Sequence, residues 1–126
     1  MKVLLDTNFL LLPFENHVDV FEEVGRLLNG KVEFLVLANT LRELKDLKGR
    51  HKLYGRAMMG FIVRQTGKFQ IVKMQGKTDN MIVDYSIANN SPDYYVATMD
   101  RKLKESLKKL KVKVIILKDK GRIDFA

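Results

Sequence analysis

The chain opens with Met1-Lys-Val-Leu-Leu-Asp-Thr-Asn8, and this short stretch indicates the kind of fold. Its apolar part, Val3–Leu5, has no alternating polar residue, which is typical of a strand covered on both faces in a parallel sheet. The apolar run ends directly at Asp6. In open α/β sheets, ligands bind beyond the carboxyl ends of the strands. The opening stretch therefore predicts a buried strand that carries a carboxylate to a functional edge.

Four more apolar runs have the same character, and helical patterns lie between them. The runs are Phe34–Leu37, Phe69–Val72, Tyr94–Thr98 and Val112–Leu117. The apolar stripes at helical spacing are Val20/Val24/Leu27/Leu28, Leu41/Leu44/Leu47, Leu53/Ala57/Phe61/Ile62, Ile82/Val83/Ile87 and Leu103/Leu107/Leu110. Strands that alternate with helices predict right-handed crossovers, a parallel sheet and a three-layer α/β fold. The helix over residues 50–65 has the weakest signal, because Gly55 and Gly60 each cost it about 1 kcal/mol relative to alanine.

Carboxylates follow four of these predicted strands. Asp6, Asp79 and Asp100 come soon after the first, third and fourth strands, and Glu43 lies in the helix after the second. Carboxylates at close range repel one another, so a cluster of four is stable as anions when cations neutralise it. Divalent cations with oxygen ligands do this, and they also catalyse phosphodiester hydrolysis. The spacing thus predicts a metal site at the carboxyl edge of the sheet.

Each carboxylate also has a purely structural interpretation. Asp6 is a potential N-cap of a following helix, and Asp100 is a potential N-cap of the lysine-rich helix. Thr40-Leu-Arg-Glu43 matches a capping box, and Thr78 or Asp79 is a potential cap of the helix through Ile82. Capping does not explain why four such groups converge on one edge, so both interpretations stay open.

Composition limits the classes of function. The 126 residues predict a single domain over residues 1–126, and the chain has no cysteine. Thiolate sites and cysteine nucleophiles are therefore excluded, and an oxygen-ligated metal such as Mg²⁺ or Mn²⁺ is favoured over structural zinc. With no long apolar run and no secretory pattern at the start, the sequence predicts a cytoplasmic protein without a membrane segment.

The positive charge is concentrated late in the chain. The formal net charge is +8, and residues 101–126 carry ten basic and three acidic side chains. A basic surface attracts polyanions such as nucleic acid, although lysines also serve simply to keep helix faces soluble. The basic side chains selected as RNA-binding candidates are Arg50, Lys52, Arg56, Arg101, Lys102, Lys108 and Lys109.

Taken together, these motifs resemble the PIN-domain ribonuclease family over nearly the whole chain. The resemblance rests on Val-Leu-Leu-Asp6-Thr-Asn8, on Glu43 in Asn-Thr-Leu-Arg-Glu-Leu, on Thr78-Asp-Asn-Met-Ile-Val-Asp84, and on Val-Ala-Thr98-Met-Asp100-Arg-Lys-Leu. It implies a three-layer α/β/α fold, with a five-stranded parallel sheet in the order 3-2-1-4-5 and helices on both faces. It also implies an endoribonuclease that depends on Mg²⁺ or Mn²⁺ and leaves 5′-phosphate and 3′-hydroxyl ends.

The resemblance also implies roles for individual residues. Asp6, Glu43, Asp79 and Asp100 would be catalytic metal-site residues, and Asn8 and Thr98 would orient carboxylates or a metal-bound water. Apart from the resemblance, Asp84 lies one helical turn beyond Asn80, so it either supports the rim of the site or faces solvent. RNA is the implied substrate, a homodimer is the expected assembly, and an antitoxin or a ribosome-assembly factor is the implied protein partner.

Within the family, the chain resembles the rRNA-processing branch more than the VapC-type toxins. Thr78-Asp-Asn-Met-Ile-Val-Asp84 is similar to the Ala-Asp-Asp motif of that branch, but Asn80 replaces the second aspartate, which leaves the number of bound metals open. Two other hypotheses remain: a non-catalytic PIN scaffold that binds RNA through Arg101–Lys111, and a phosphotransfer domain with Asp6 as nucleophile. The second lacks a phosphate-binding motif such as G-x-x-x-x-G-K-[ST].

Overall fold

The computed structural model describes residues 1–65 and 67–126, without the side chains of Thr78, Asp79 and Lys120. Strands and helices alternate along it. The strands are β1 Lys2–Leu5, β2 Glu33–Leu37, β3 Phe69–Val72, β4 Tyr94–Ala97, β5 Lys113–Lys118 and β6 Arg122–Phe125. The helices are α1 Thr7–Leu10, α2 Leu12–Glu15, α3 Val20–Leu28, α4 Ala38–Asp46, α5 His51–Arg64, α6 Thr78–Asn89 and α7 Arg101–Lys109. In this described part, no helix is long and apolar enough to cross a membrane.

The sheet confirms the predicted order and adds a strand. Across the described residues the order is β3-β2-β1-β4-β5-β6, and the pairings from β3 to β5 are all parallel. The predicted count of five strands was wrong, because β6 pairs antiparallel with β5 after a 3-10 turn over Asp119–Gly121. Its sequence Arg-Ile-Asp-Phe alternates polar and apolar residues, as expected for a half-exposed edge strand rather than a continuous apolar run.

Helices cover both faces of the sheet, as the three-layer prediction required. On one face, β1 side chains such as Val3 and Leu5 pack in a cluster with α1, α3 and α5. On the other face, Leu4 packs in a second cluster with α6 and α7. Because successive strand residues point to opposite faces, the buried Val3-Leu4-Leu5 run supplies both clusters.

Helix α5 forms despite its two glycines, but of the predicted stripe Leu53/Ala57/Phe61/Ile62 only Ile62 is buried. Its buried residues are Gly55, Met58 and Ile62, whereas Leu53 is 74% exposed and Phe61 is 37% exposed. At Gly55 the backbone lies against the Leu44 carbonyl of α4, and a side chain there would collide with it. Close approach of the two helices therefore decides which face of α5 is buried.

A buried polar pair anchors α6 to the centre of the sheet. The hydroxyl groups of Ser86 and Tyr94 lie 2.9 Å apart, and both residues are buried. Burial raises the pKa of Tyr94 far above its ordinary value, because the phenolate would lose its hydration. This hydrogen bond holds α6, which carries Asp79 and Asp84, at a fixed place against β4.

Candidate active site

Asp6 and Thr98 meet because of the register between the two central strands. Leu5 pairs with Ala97 at the carboxyl ends of β1 and β4, so the next residue on each strand lies side by side. The Thr98 hydroxyl donates to Asp6 Oδ2 at 2.7 Å, and the Thr7 backbone N–H donates to Asp6 Oδ1 at 2.8 Å. Thr98 is fully buried and Asp6 is half-buried. Both oxygens of the carboxylate are thereby held in one orientation.

The same threonine connects Asp6 to Asp100. Its hydroxyl oxygen accepts a hydrogen bond from the Asp100 backbone N–H at 3.1 Å. Asp100 is the N-cap of α7, and its Oδ1 accepts from the Leu103 N–H at 3.0 Å. Asn8 Oδ1 accepts from the Met99 N–H at 2.9 Å. These contacts fix the β4–α7 turn against the start of α1.

The predicted cap interpretation is confirmed for Asp6 and Asp100 and wrong for Glu43. Asp6 is the N-cap of α1, where its side chain accepts from Thr7. Helix α4 begins at Ala38, directly after β2, with Leu37 at the N-cap. Thr40 therefore lies inside the helix, and no capping box forms with Glu43. Glu43 is exposed on the second turn, where Thr7 Oγ1 donates to its Oε1 at 3.2 Å.

Thr7 makes two contacts in the site that the sequence did not reveal. It lies between Asp6 and Asn8 in the opening motif, and the motif alone assigns it no role. In the structure its backbone binds Asp6 and its hydroxyl binds Glu43, so it links β1 to α4. Its place within the Asp-Thr-Asn motif was the available signal.

The third strand leads into α6 at the same edge of the sheet. The Asn39 side-chain amide of α4 donates to the Gly76 carbonyl at 3.3 Å, which ties the β3–α6 loop to α4. Lys77 is at the N-cap of α6, so the helix begins at Thr78 rather than after a Thr78 or Asp79 cap. The side chain of Asp79 lies outside the described residues. Asn80 and Asp84 are exposed on α6.

The donor set matches hard divalent cations in chemistry. Asp6, Glu43 and Asp100 offer only carboxylate oxygens, the ligands that Mg²⁺ and Mn²⁺ prefer. Among the described side chains, no three His, Asp or Glu residues are close enough together to hold one ion. The structure therefore links Asp6 to Asp100 through Thr98 and brings Glu43 to Thr7, without assembling the predicted four-carboxylate cluster from the side chains it describes.

The predicted RNA-binding residues fall into separate groups. Arg101 and Lys102 lie at the start of α7, beside Asp100. Lys108 and Lys109 lie at its other end, on the opposite edge of the sheet. Arg50, Lys52 and Arg56 lie at the start and in the first turns of α5. All seven are exposed.

Replacing Thr98 with valine tests whether its hydroxyl sets the geometry of the edge. Valine keeps the shape but removes the donor to Asp6 and the acceptor for the Asp100 N–H. We expect a loss of about 1–3 kcal/mol in the free energy of unfolding, because a buried N–H loses its partner. If the edge is catalytic, activity should fall about 10–100-fold, the usual effect of losing a group that orients a ligand. Thr98→Ser should retain both properties, and equal losses in the two variants would contradict the role of the hydroxyl.

A family match accounts for this arrangement of motifs. Residues 3–120 match the family model described as PIN like domain, which covers most of the chain. The order β3-β2-β1-β4-β5 is the one that the motif resemblance implied. The chain belongs to the PIN-like domain family.

Two known proteins are similar to the chain over nearly its full length. It is 29% identical to "Ribonuclease VapC4" of Methanocaldococcus jannaschii, with 94% of this chain and 92% of that protein aligned. The solved structure titled "Structure of the PIN domain endonuclease Utp24" superposes with a TM-score of 0.79 at 23% identity, covering 98% of this chain and 90% of the other. At this identity, the similarity to the Utp24 structure supports a shared fold alone.

Proposed function

We propose that this protein is a metal-dependent endoribonuclease whose active site lies at the carboxyl edge of the sheet. The observation that carries the proposal is the Thr98 hydroxyl, which donates to the Asp6 carboxylate and accepts from the Asp100 backbone N–H. A buried side chain that orients one carboxylate and holds the backbone of a second acidic residue, beyond the ends of two central strands, is expected of a site built to hold a cation. The similarity to a protein named a ribonuclease and the net charge of +8 support RNA as the substrate.

In this proposal the acidic residues hold Mg²⁺ or Mn²⁺. Asp6, Glu43, Asp79 and Asp100 provide the carboxylates, and Asn8, Thr98 and Asp84 support them. A divalent cation at such a site would polarise the scissile phosphate and lower the pKa of the attacking water. The half-buried Asp6 keeps its orientation through the hydrogen bonds from Thr7 and Thr98. In the proposal, Arg101 and Lys102 at the start of α7 attract the phosphates next to the cleaved bond.

The biological role that we propose is RNA processing in the cytoplasm, including processing of ribosomal RNA. In this role the chain acts as a single domain, forms a homodimer and binds a ribosome-assembly partner. A second candidate is a VapC-type toxin restrained by an antitoxin, and the 29% identity to a VapC ribonuclease favours it. Controlled expression separates the two. A toxin ribonuclease should arrest growth, and co-expression of an antitoxin should restore it, whereas expression of a processing enzyme should not arrest growth.

The metal requirement gives the first test. Purified protein is incubated with labelled single-stranded and structured RNA in Mn²⁺, in Mg²⁺ and in chelator. We expect cleavage with either metal and none with chelator, because the donor oxygens alone supply no Lewis acid. Products should end in 5′-phosphate and 3′-hydroxyl groups. Equal cleavage in chelator would contradict the proposal, and RNA binding without cleavage under every condition would favour a non-catalytic scaffold.

A further inference from the structure

The edge of the sheet opposite the carboxylates is lined by lysines. All parallel strands begin at this edge, and three of them begin at or just after a lysine: Lys2 at β1, Lys68 before β3 and Lys113 at β5. Lys31 stands two residues before β2. Lys2, Lys31 and Lys68 are exposed, and none of the ion pairs found among the described residues includes them. At the amino-terminal edge these three lysines therefore lie outside the ion pairs of the described residues, although the carboxylates Glu33 and Asp93 are at the same edge.

Three of these lysines surround one cleft. It has a volume of about 500 Å³ and is lined by Lys2, Lys31, Lys68 and Glu33, together with Met1, Val32 and Gly67. With three cationic side chains and one carboxylate, its formal balance is positive. A concave basic surface focuses its field and attracts polyanions more strongly than scattered lysines do.

A second cleft, of about 350 Å³, lies further along the same edge. Lys108, Lys111 and Lys113 line it together with Phe125. Lys113 is fixed in place, because its Nζ donates to the Pro92 carbonyl and lies 4.5 Å from the centroid of the Tyr95 ring. Phe125 is 39% exposed and stacks on that ring with centroids 6.0 Å apart. Lysines beside an exposed aromatic ring are the combination that binds single-stranded nucleic acid, through phosphates and stacked bases.

Lys111 occupies a backbone position that normally favours glycine. It follows the C-cap of α7 with a φ of 61°, its N–H donates to the Lys108 carbonyl, and the Val112 N–H donates to the Leu107 carbonyl. This is a Schellman motif with lysine at the left-handed position, where glycine is the usual and less strained residue. The chain thus holds a cation in the second cleft at a position where glycine would be more stable.

We propose that this amino-terminal edge is a second RNA-binding surface, which holds the phosphate backbone away from the point of cleavage. The proposal rests on the proposed function, since it takes RNA as the substrate. Helix α7 connects the two edges, with Arg101 at the carboxylate end and Lys108 at the other. Its nine residues span about 14 Å, so an RNA that continues beyond the active site can reach both edges. We therefore expect the protein to bind an RNA that extends beyond the active site more tightly than one that fills the active site alone.

The test is the affinity for RNA of a variant that loses one lysine from each cleft. Lys68→Gln/Lys111→Gln is prepared in an Asp6→Asn background to prevent cleavage, and binding to single-stranded RNA is followed by fluorescence anisotropy over a range of salt. For an RNA of roughly 16 nucleotides, we expect affinity about tenfold weaker and a salt slope smaller by about 1.4, from about 0.7 per lost phosphate contact. For an RNA of about 4 nucleotides, which can contact only part of the two edges at once, the loss should be smaller.

A matched variant separates local binding from overall charge. Lys45→Gln/Lys48→Gln removes two exposed lysines next to the α4–α5 turn, outside both clefts. It should leave affinity for the longer RNA within about twofold of the parent, since it loses no phosphate contact. Equal losses in both pairs, or no loss in the first pair, would overturn the proposal. Cleavage by the wild-type protein is scored separately, so failure of the catalytic proposal and failure of this one are distinguishable.

Replacing Lys111 with glycine separates stability from RNA binding. Glycine fits the left-handed backbone, so the melting temperature should rise by roughly 2–4 °C. RNA affinity should nevertheless fall about threefold, because one of the two phosphate contacts is lost. A variant that is more stable and binds the longer RNA as well as the parent does would exclude Lys111 from the surface.

Discussion

Asp6→Asn is expected to lower the rate of RNA cleavage by at least about 100-fold while leaving the protein folded. The substitution removes the negative charge that would hold a divalent cation and keeps nearly the same shape. Asparagine has one acceptor oxygen where Asp6 uses two, for the Thr7 N–H and the Thr98 hydroxyl. Some stability should therefore be lost, on the order of one hydrogen bond, or about 1 kcal/mol. Cleavage and thermal unfolding are measured on the same preparation.

Asp46→Asn is the control for this variant. Asp46 is exposed at the end of α4 and lines neither of the two lysine clefts, so the substitution removes the same charge from another place. Its cleavage rate should stay within about twofold of wild type, as for surface substitutions away from a site. Full activity in Asp6→Asn, or equal losses in the two variants, would remove Asp6 from the active site.

Gly55→Ala is expected to destabilise the protein by about 2–3 kcal/mol, although alanine normally favours a helix. A β-carbon at position 55 would overlap the Leu44 carbonyl oxygen and lie 2.9 Å from Leu47 Cδ1. Backbone atoms of α4 cannot move aside as a flexible side chain would. Helix α4 also carries Glu43, so its displacement should reduce cleavage as well. Chemical denaturation measures the free energy of unfolding.

Gly25→Ala is the matched control, and we expect it to raise the free energy of unfolding instead of lowering it. Gly25 lies in α3, where a β-carbon would meet no heavy atom of another element within 4 Å. Alanine there should stabilise by about 0.5–1 kcal/mol, since it lowers the entropy cost of the helix without a clash. If both alanine variants were more stable than wild type, the result would contradict the close packing of α5 on α4 at Gly55.

Much of the fold could be predicted because the central strands are buried on both faces. Continuous apolar runs such as Val3–Leu5 have few alternative structures, and the β1 to β5 order follows from the family motifs. The sixth strand was missed because Arg122–Phe125 alternates polar and apolar residues at an edge. The orientation of α5 was missed because periodicity favoured Leu53 and Phe61, whereas close packing at Gly55 buries a different face.

The candidate site was less predictable than the fold. Strand ends placed Asp6 and Asp100 at the same edge, but the bridge through Thr98 depends on the pairing of Leu5 with Ala97, which the sequence does not state. Glu43 matched a capping box that the structure does not form, because α4 starts without a loop after β2. Lys108 and Lys109 were grouped with Arg101 from their sequence positions, yet the length of α7 carries them to the opposite edge.

The most direct test of the central claim is the Mn²⁺ dependence of RNA cleavage in wild type, Glu43→Gln and a control, Glu22→Gln. Glu22 is an exposed residue of α3 that pairs with Arg26, away from the carboxylate edge. We predict saturable activation of wild type and of the control at the same Mn²⁺ concentration, with half-activation of Glu43→Gln at roughly tenfold higher concentration. Identical activation curves for all three proteins, or cleavage without any divalent metal, would contradict the assignment of this edge as a metal-dependent active site.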